Sequence, residues 1–410
     1  SGDLVNKVDF TFRDSDYILT EDHAEEDHDE EERGDEEEHE PTKFMSSSSE
    51  YGAIFDLSND NITQKVVFNV LDEDSSIIGE EAFMNPATSE EFTLGYFMSK
   101  DIGMFNVDFG FRMDQIDRSG SVTDEDHGDV DYYNIDDTTN SFAVTLGKSL
   151  SDSLDVDLGF ASVERLPSVI ELFMNGPHLA TGRLEVGNPN LKSEISNNFD
   201  VTFDYENGDF FAYASFYINK VDNYITLMDE DDEHGDDDHD EDHGDEDHED
   251  DHDDHGDLIH AFYVQENAAF IGYELEFGRT VNLASGDLTY SFGRDQVNAE
   301  FADGHSVPRI NPARNVYSLS YKQNDTVFKI NLKNVERQNN FAEGETATDS
   351  YRMLDTRVTK TFSVYDKSKM KVTLFANNLL DEVARNHSSF VKGPVPLPGR
   401  NVGIKFNLSF

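Results

Sequence analysis

Apolar and polar residues alternate with a period of two along most of the chain. Between Leu154 and Phe160 every second residue is apolar, and the residues between them are aspartate or glycine. The C-terminal segment 402–410 repeats the pattern. Such alternation predicts β-strands with one apolar and one polar face. A soluble β-sandwich and a membrane β-barrel both show it, so the alternation alone leaves both folds open.

The lengths of the connections separate these two folds. The pattern predicts about 16 strands, near residues 3–19, 50–58, 63–72, 91–100, 103–118, 139–149, 153–164, 195–206, 209–227, 259–280, 285–297, 313–322, 326–338, 350–363, 369–378 and 400–410. Short turns alternate without a break with long connections at 20–49, 73–90, 119–138, 165–194, 228–258, 298–312, 339–349 and 379–399. Outer-membrane barrels have this asymmetry, with the long loops outside the cell. We therefore predict an all-β, transmembrane antiparallel barrel over residues 1–410, whereas a large soluble all-β protein would leave the asymmetry unexplained.

Acidic residues and histidines are concentrated in three of the long connections, 20–49, 119–138 and 228–258, which the barrel prediction places outside the cell. The long tract, residues 229–257, contains only Asp, Glu, His and Gly, and the N-terminal tract, residues 21–40, has a similar composition. Carboxylates suit hard cations, and interspersed imidazoles add preference for zinc, copper or nickel. We expect several weak, exchangeable metal sites. Their candidate ligands are His234, His239, His243, His248, His252, His255, His23, His28 and His39.

Composition excludes several classes of function. A formal net charge of −56 disfavours nucleic-acid binding and favours cation binding. The chain has no cysteine, so thiolate metal sites and thiol nucleophiles are excluded. We find no hydrolase, phosphate-loop or metalloprotease motif, and we predict that the protein is not an enzyme. No apolar run is long enough for a transmembrane helix, and no signal peptide opens the chain, so we expect a fragment of a longer precursor.

Two loop segments and the last strand support a resemblance to a known family. Residues 164–168, 171–173 and 187–194 resemble the paired loop signature of TonB-dependent outer-membrane receptors, and residues 377–381 resemble their late Asn-Leu motif. The segments 79–83, 176–181 and 387–390 are more particular to zinc-uptake receptors of the ZnuD type. The resemblance covers most of residues 63–410, interrupted at the acidic tracts.

The resemblance implies a 22-stranded barrel with an N-terminal plug, of which this chain would supply the last 16 strands. It also implies an outer-membrane location in a Gram-negative bacterium, surrounded by lipid and lipopolysaccharide. Energy would come from the TonB–ExbB–ExbD complex, and the receptor would be a monomer. The transported ligand would be zinc, captured by the acidic loops and passed to a site in the extracellular cavity. No enzymatic cofactor is expected.

His178 is the main candidate ligand of that cavity site. Its counterpart in the zinc receptors would face the cavity, while an exposed loop histidine is the alternative interpretation. Glu81 is a weaker candidate, since Glu80 is equally plausible. We expect Glu171 to brace its own loop and His387 to pack rather than bind a ligand.

Four alternatives stay open. Haem receptors also carry a histidine between similar paired segments, so His178 could be an axial haem ligand. The protein could instead be a non-transporting surface barrel, or its acidic loops could bridge lipopolysaccharide through calcium or magnesium. Copper, nickel or cobalt could replace zinc without any change visible in the sequence.

Overall fold

A computed structural model describes residues 4–21, 41–79, 82–124, 127–230, 258–365 and 368–410. These residues form 18 strands and one short helix, α1, at Val169–Phe173. The strands are β1 Lys7–Glu21, β2 Thr42–Asp56, β3 Thr63–Ile78, β4 Ala87–Ile102, β5 Phe105–Thr123, β6 Val130–Ser151, β7 Leu154–Arg165, β8 Asn175–His178, β9 Arg183–Val186, β10 Glu194–Asn207, β11 Phe210–Asp229, β12 Ile259–Leu283, β13 Gly286–Phe301, β14 Arg314–Gln323, β15 Thr326–Val335, β16 Tyr351–Tyr365, β17 Ser368–Asn377 and β18 Asn401–Ser409. No helix in the described part of the chain is long and apolar enough to cross a membrane.

Sixteen of the strands form one antiparallel meander, in which each strand pairs with the next. The series runs β1 to β7 and then β10 to β18, because β7 pairs directly with β10. The short hairpin β8–β9 lies in the connection between those two strands, and β9 pairs in parallel with β12. In the described ranges β1 and β18 are the two edges of the sheet, with no ladder between them.

The structure confirms the predicted number of long strands. Long and short connections alternate as predicted except at β5–β6, whose connection, 124–129, is no longer than the turn 57–62 between β2 and β3. The strands, however, extend further into the long connections than hydropathy predicts. Strands β5 and β6 leave only residues 124–129 of the connection predicted at 119–138, and β2 takes over 42–49 of the connection predicted at 20–49. Backbone pairing continues where both faces are polar, so apolar alternation ends before the strand does. We call this end of the sheet the long-loop end.

The two faces of the sheet differ in the way that the alternation predicts. Phe199 on β10 is 52% exposed, and Phe203 on the same face is also exposed. On the opposite face Asn198 donates a hydrogen bond to Asp200, and the hydroxyls of Thr202 and Ser215 are 3.1 Å apart. Exposed aromatic and aliphatic side chains occur on most of the long strands, and a surface of this kind requires an apolar surrounding such as lipid.

The main apolar cluster lies among the connections at the long-loop end. Phe83 and Met84, from the connection between β3 and β4, pack against Leu172, Phe173 and Met174 at the end of helix α1. Strand β5 leaves room for this cluster by having a glycine where the Phe173 ring packs. A Cβ atom at Gly120 of β5 would lie 2.4 Å from the Phe173 ring, so only glycine allows this packing. The connections therefore form a packed layer that can hold side chains in fixed positions.

We predict that Phe199→Arg will destabilise the membrane-inserted protein by about 2–4 kcal/mol, because it places a charge on the lipid-facing side. The matched control is Asn198→Arg, one residue away on the opposite, polar face, which should be nearly neutral. Unfolding in lipid vesicles measures both. Equal destabilisation by the two substitutions would contradict the assignment of the faces.

Candidate functional site

His178 lies at the end of the short strand β8, and its imidazole is held by a buried glutamate. Its Nδ1 atom is 3.0 Å from Oε1 of Glu185 on the paired strand β9. Glu185 is only 3% exposed, whereas the His178 side chain is 24% exposed. The hydroxyl of Thr181 lies 2.7 Å from the same Glu185 oxygen. The hairpin thus presents one partly accessible imidazole, backed by a carboxylate.

This pairing leaves the second ring nitrogen of His178 available to a ligand. A carboxylate accepts hydrogen bonds, so Nδ1 carries a proton, and in the neutral ring Nε2 then has the free lone pair. Metal-bound histidines almost always donate their other N–H to a carboxylate, a carbonyl or water. Across the described ranges, however, no three His, Cys, Asp or Glu side chains come close enough together to hold a metal ion. The described residues therefore provide one oriented metal-donor atom here, Nε2 of His178.

The connection that carries Glu81 contacts the histidine directly. The ring of Phe83 stacks on the His178 imidazole, with the centroids 4.6 Å apart and an angle of 27° between the planes. Glu80 and Glu81 themselves lie outside the described residues, so the prediction for Glu81 stays a prediction. The histidines of the long and N-terminal tracts also lie outside the described residues: His234, His239, His243, His248, His252, His255, His23, His28 and His39.

The ends of the connection that contains the long tract are attached to the same hairpin. Arg183 of β9 forms two 2.7 Å hydrogen bonds with the carboxylate of Asp229, the last residue of β11. On the other side of the tract, residues 259–262 of β12 pair with residues 183–186 of β9. The N–H of Ile259 also donates to the carbonyl of Gly182. Both ends of residues 230–258 are therefore attached within a few residues of His178.

Two cation–π contacts to one aromatic ring join this hairpin to two further connections. The Phe390 ring, between β17 and β18, lies 4.5 Å from the Arg183 guanidinium and 4.3 Å from that of Arg309. Arg309, between β13 and β14, also donates to the Thr226 hydroxyl and to the Leu227 carbonyl at the end of β11. Partly desolvated cation–π contacts contribute about 1–2 kcal/mol each. At the long-loop end, these noncovalent contacts hold the hairpin against its neighbouring connections.

His387 packs inside the same layer, as predicted. Its side chain is fully buried, and its Nδ1 lies 2.8 Å from the Thr348 hydroxyl and 3.3 Å from Nζ of Lys392. Its Nε2 is 3.7 Å from Oε2 of Glu345, which is too far for a hydrogen bond. Burial lowers the pKa of Lys392, although Glu345 partly opposes the shift. His387 therefore links two connections.

Glu171 braces its own loop, which confirms the prediction for this residue. Its carboxylate forms two hydrogen bonds with Arg165, at 2.9 and 3.1 Å, and accepts another from the N–H of Ser168. Ser168 and Glu171 together form the capping box of helix α1. Burial acts to raise the pKa of Glu171, but these hydrogen bonds outweigh it and the net pKa is lowered. The carboxylate is fully engaged and is not a free ligand.

Sequence reasoning missed Glu185, Arg183 and Asp229. Glu185 lies seven residues after His178, within a segment predicted to be a loop, and the turn signal between the two short strands is a single glycine, Gly182, whose φ is +66°. The alternation in residues 183–186, where Leu184 lies between Arg183 and Glu185 and Val186 follows, indicates a strand. Asp229 could not be singled out from the sequence, because it is the first residue of the acidic long tract.

We predict strong coupling between Arg183 and Asp229. Arg183→Met leaves a mostly buried carboxylate without its partner, which typically costs about 3–5 kcal/mol. Asp229→Asn should cost less, and the double variant should recover part of the loss. Hydrogen exchange of residues 259–262 measures the local stability. Additive effects of the two substitutions would contradict the coupling.

We also predict an acid-sensitive step in the connection that contains Glu345. Burial acts to raise the pKa of Glu345, but His387 and the N–H groups of Ala342 and Arg309 outweigh it, so the folded-state pKa lies below the ordinary 4.5. Its stabilising contribution is therefore complete above that value and lost as the pH falls through the lowered pKa. A spin label on Glu343→Cys, in this cysteine-free chain, should gain mobility in that acid range.

The control for this acid step adds Glu345→Gln to the labelled protein. The label should then be more mobile at neutral pH, and the acid-dependent step should disappear. A step of unchanged size in that variant would show that another group titrates.

Comparison with known proteins agrees with this architecture. A profile of the family described as TonB dependent receptor-like, β-barrel, matches residues 12–379. The copper transporter OprC is similar, with a TM-score of 0.72 and 15% identity over 99% of this chain and 63% of that chain. The FrpB iron transporter (F3-3 variant) from Neisseria meningitidis has a TM-score of 0.59 and 14% identity, over 90% of this chain and 55% of that chain.

The Serratia marcescens hemophore receptor HasR, in a complex with its hemophore and heme, is a third similar structure. It has a TM-score of 0.54 and 13% identity, over 89% of this chain and 59% of that chain. This chain spans less than two thirds of each of the three proteins. At these identities the likeness concerns the fold alone, and none of the three names refers to zinc. The profile match over most of the chain shows that this protein belongs to the TonB-dependent receptor β-barrel family.

Proposed function

We propose that this protein is part of an outer-membrane receptor that takes up a divalent transition metal ion, with zinc as the first candidate. The observation that carries the proposal is His178, whose Nδ1 is held by the buried Glu185 so that Nε2 is free to bind. Neutral imidazole is a preferred donor for zinc, copper and nickel. The remaining ligands would come from residues outside the described ranges, with Glu81 as one candidate.

The acidic tracts would supply metal to this donor. A chain segment with many carboxylates and histidines raises the local concentration of divalent cations without tight binding. Both ends of the connection with the long tract are attached to the hairpin that bears His178. Metal held weakly by the long tract would then be tethered to the hairpin that carries the oriented imidazole. Protonation of the histidines at lower pH would release the metal.

The proposed setting is the outer membrane of a Gram-negative bacterium. The exposed apolar face would contact lipid, and the long-loop end would lie outside the cell near lipopolysaccharide. We further propose that a plug closes the barrel lumen and that the TonB–ExbB–ExbD complex moves it, with a monomer as the working unit. Family membership supports this scheme.

Haem is the second candidate ligand, and one observation favours it. Within the described ranges no three potential metal ligands converge, and His178 is a single imidazole. Axial ligation of haem iron needs only one such imidazole from the hairpin. The negative charge of the tracts disfavours haem, however, because its propionates are also anionic. A direct titration separates the two candidates.

We predict that the purified full-length receptor binds zinc at one tight site and at many weak sites. His178→Ala should remove the tight site and leave the weak ones. The control is His305→Ala, a 79% exposed histidine at the same end of the barrel, which should change nothing. Calorimetry with zinc, copper, nickel, calcium and haemin makes the measurement. Tight haemin binding that depends on His178, together with only weak metal binding, would show that haem and not zinc is the ligand.

We also predict that replacing residues 231–257 by a Gly/Ser linker of equal length will reduce zinc uptake at limiting zinc without abolishing it. Uptake at abundant zinc should be nearly unchanged, because the tract supplies local concentration and not the tight site. Substitution of the six tract histidines by glutamine, which keeps the carboxylates, separates transition-metal capture from general cation attraction. Full uptake at limiting zinc by the linker variant would refute the capture role.

A further inference from the structure

A buried carboxylate adjoining the proposed ligand needs an explanation of its own. Glu185 is 3% exposed, and its hydrogen-bond partners are His178 and Thr181, both at Oε1. Burying a charge is costly unless it is paired or hydrogen-bonded. For a purely structural role, a well-packed apolar residue of similar volume is often as stabilising as a buried ionic pair or more so. The position of Glu185 therefore points to a task performed on His178.

The Thr181 hydroxyl fixes the position of the carboxylate. Its oxygen lies 2.7 Å from Oε1 of Glu185 and 2.9 Å from the carbonyl oxygen of His178. A hydroxyl has a single hydrogen, and an ionised carboxylate is the stronger acceptor. We therefore infer that the Thr181 hydroxyl donates its hydrogen to the Glu185 carboxylate. Oε1 of Glu185 then accepts two hydrogen bonds, one from the Thr181 hydroxyl and one from the Nδ1–H of His178.

The imidazole has little freedom to turn away from this arrangement. Phe83 covers one face of the ring, and the Glu185 carboxylate fixes its Nδ1 edge. With those two contacts satisfied, Nε2 is the nitrogen that remains for a metal ion. The carboxylate also increases electron density on the ring, which strengthens an Nε2–metal bond.

We propose that Glu185 is a positioning residue for metal capture: it selects the Nδ1–H form of His178 and so makes Nε2 the metal-binding atom. This inference rests on the proposed function of His178. It adds that two residues of the hairpin β8–β9 act together. His178 binds the metal, and Glu185 sets the tautomer and the orientation of the His178 ring. Neither role requires Glu185 to touch the metal.

The test compares Glu185→Gln and Glu185→Met in the full-length receptor, with zinc as the probe. Gln keeps an oxygen acceptor and loses the charge, whereas Met keeps the approximate size and loses both. Loss of such an outer partner typically weakens metal binding by about 10–100-fold. We expect a loss near the lower limit for Gln and near the upper limit for Met. Glu206→Gln, an exposed glutamate near the short turn between β10 and β11, is the matched control.

A spectroscopic measurement separates positioning from packing. Nitrogen NMR of labelled imidazole should find Nδ1 protonated in the metal-free receptor at a pH where the ring is neutral. In Glu185→Met the signal of His178, assigned by its loss in His178→Ala, should move toward the Nε2–H form. A packing role alone would leave the tautomer unchanged.

The outcomes distinguish this inference from the proposed function. If His178→Ala removes tight zinc binding while both Glu185 variants bind zinc as the natural protein does, the positioning role is wrong and the receptor proposal stands. If His178→Ala leaves tight binding intact, the proposed site itself fails. Graded losses together with the tautomer change support both. Should Glu185→Met fail to fold, affinity and tautomer in Glu185→Gln and Thr181→Val still test the role, with smaller expected effects.

Discussion

The antiparallel pairing of each long strand with its neighbour is the constraint on which the rest of the structure depends. In an apolar surrounding every backbone N–H and C=O must find a partner within the protein. The meander achieves this for its strands, except along the outer edges of β1 and β18. The same pairing fixes which side chains face outward and which face inward. It also places the long connections at one end, where several of those in the described ranges pack against each other.

That packed layer explains how connections can carry a defined site. One apolar cluster includes Phe83, Leu172 and Phe173. A third connection contributes Phe390, whose ring forms cation–π contacts with Arg183 and Arg309. Loops held in this way can fix a side chain as well as a strand can. The His178–Glu185 pair lies on a short hairpin that the layer supports from several sides. The hairpin is also the place where both ends of the connection with the long tract are attached.

Much of the fold could be predicted from the sequence, and less of the site. Alternation such as that of Leu154–Phe160 identifies membrane-facing strands because the lipid side must be apolar. Where strands such as β5 and β6 extend past that region, both faces are polar and hydropathy gives no signal. The position of His178 between two signature segments makes it a candidate from the sequence alone. Its partner Glu185 could not be predicted, because the contact depends on a tight hairpin and on packing between distant connections.

The most direct measurement is zinc-edge anomalous diffraction from crystals of the full-length receptor soaked in zinc. We predict an anomalous peak about 2.0–2.1 Å from Nε2 of His178, with Nδ1 still paired to Glu185. Weaker peaks among the acidic tracts would accompany it. A strong zinc site elsewhere, with no peak at His178, would contradict the proposal that this hairpin captures the metal.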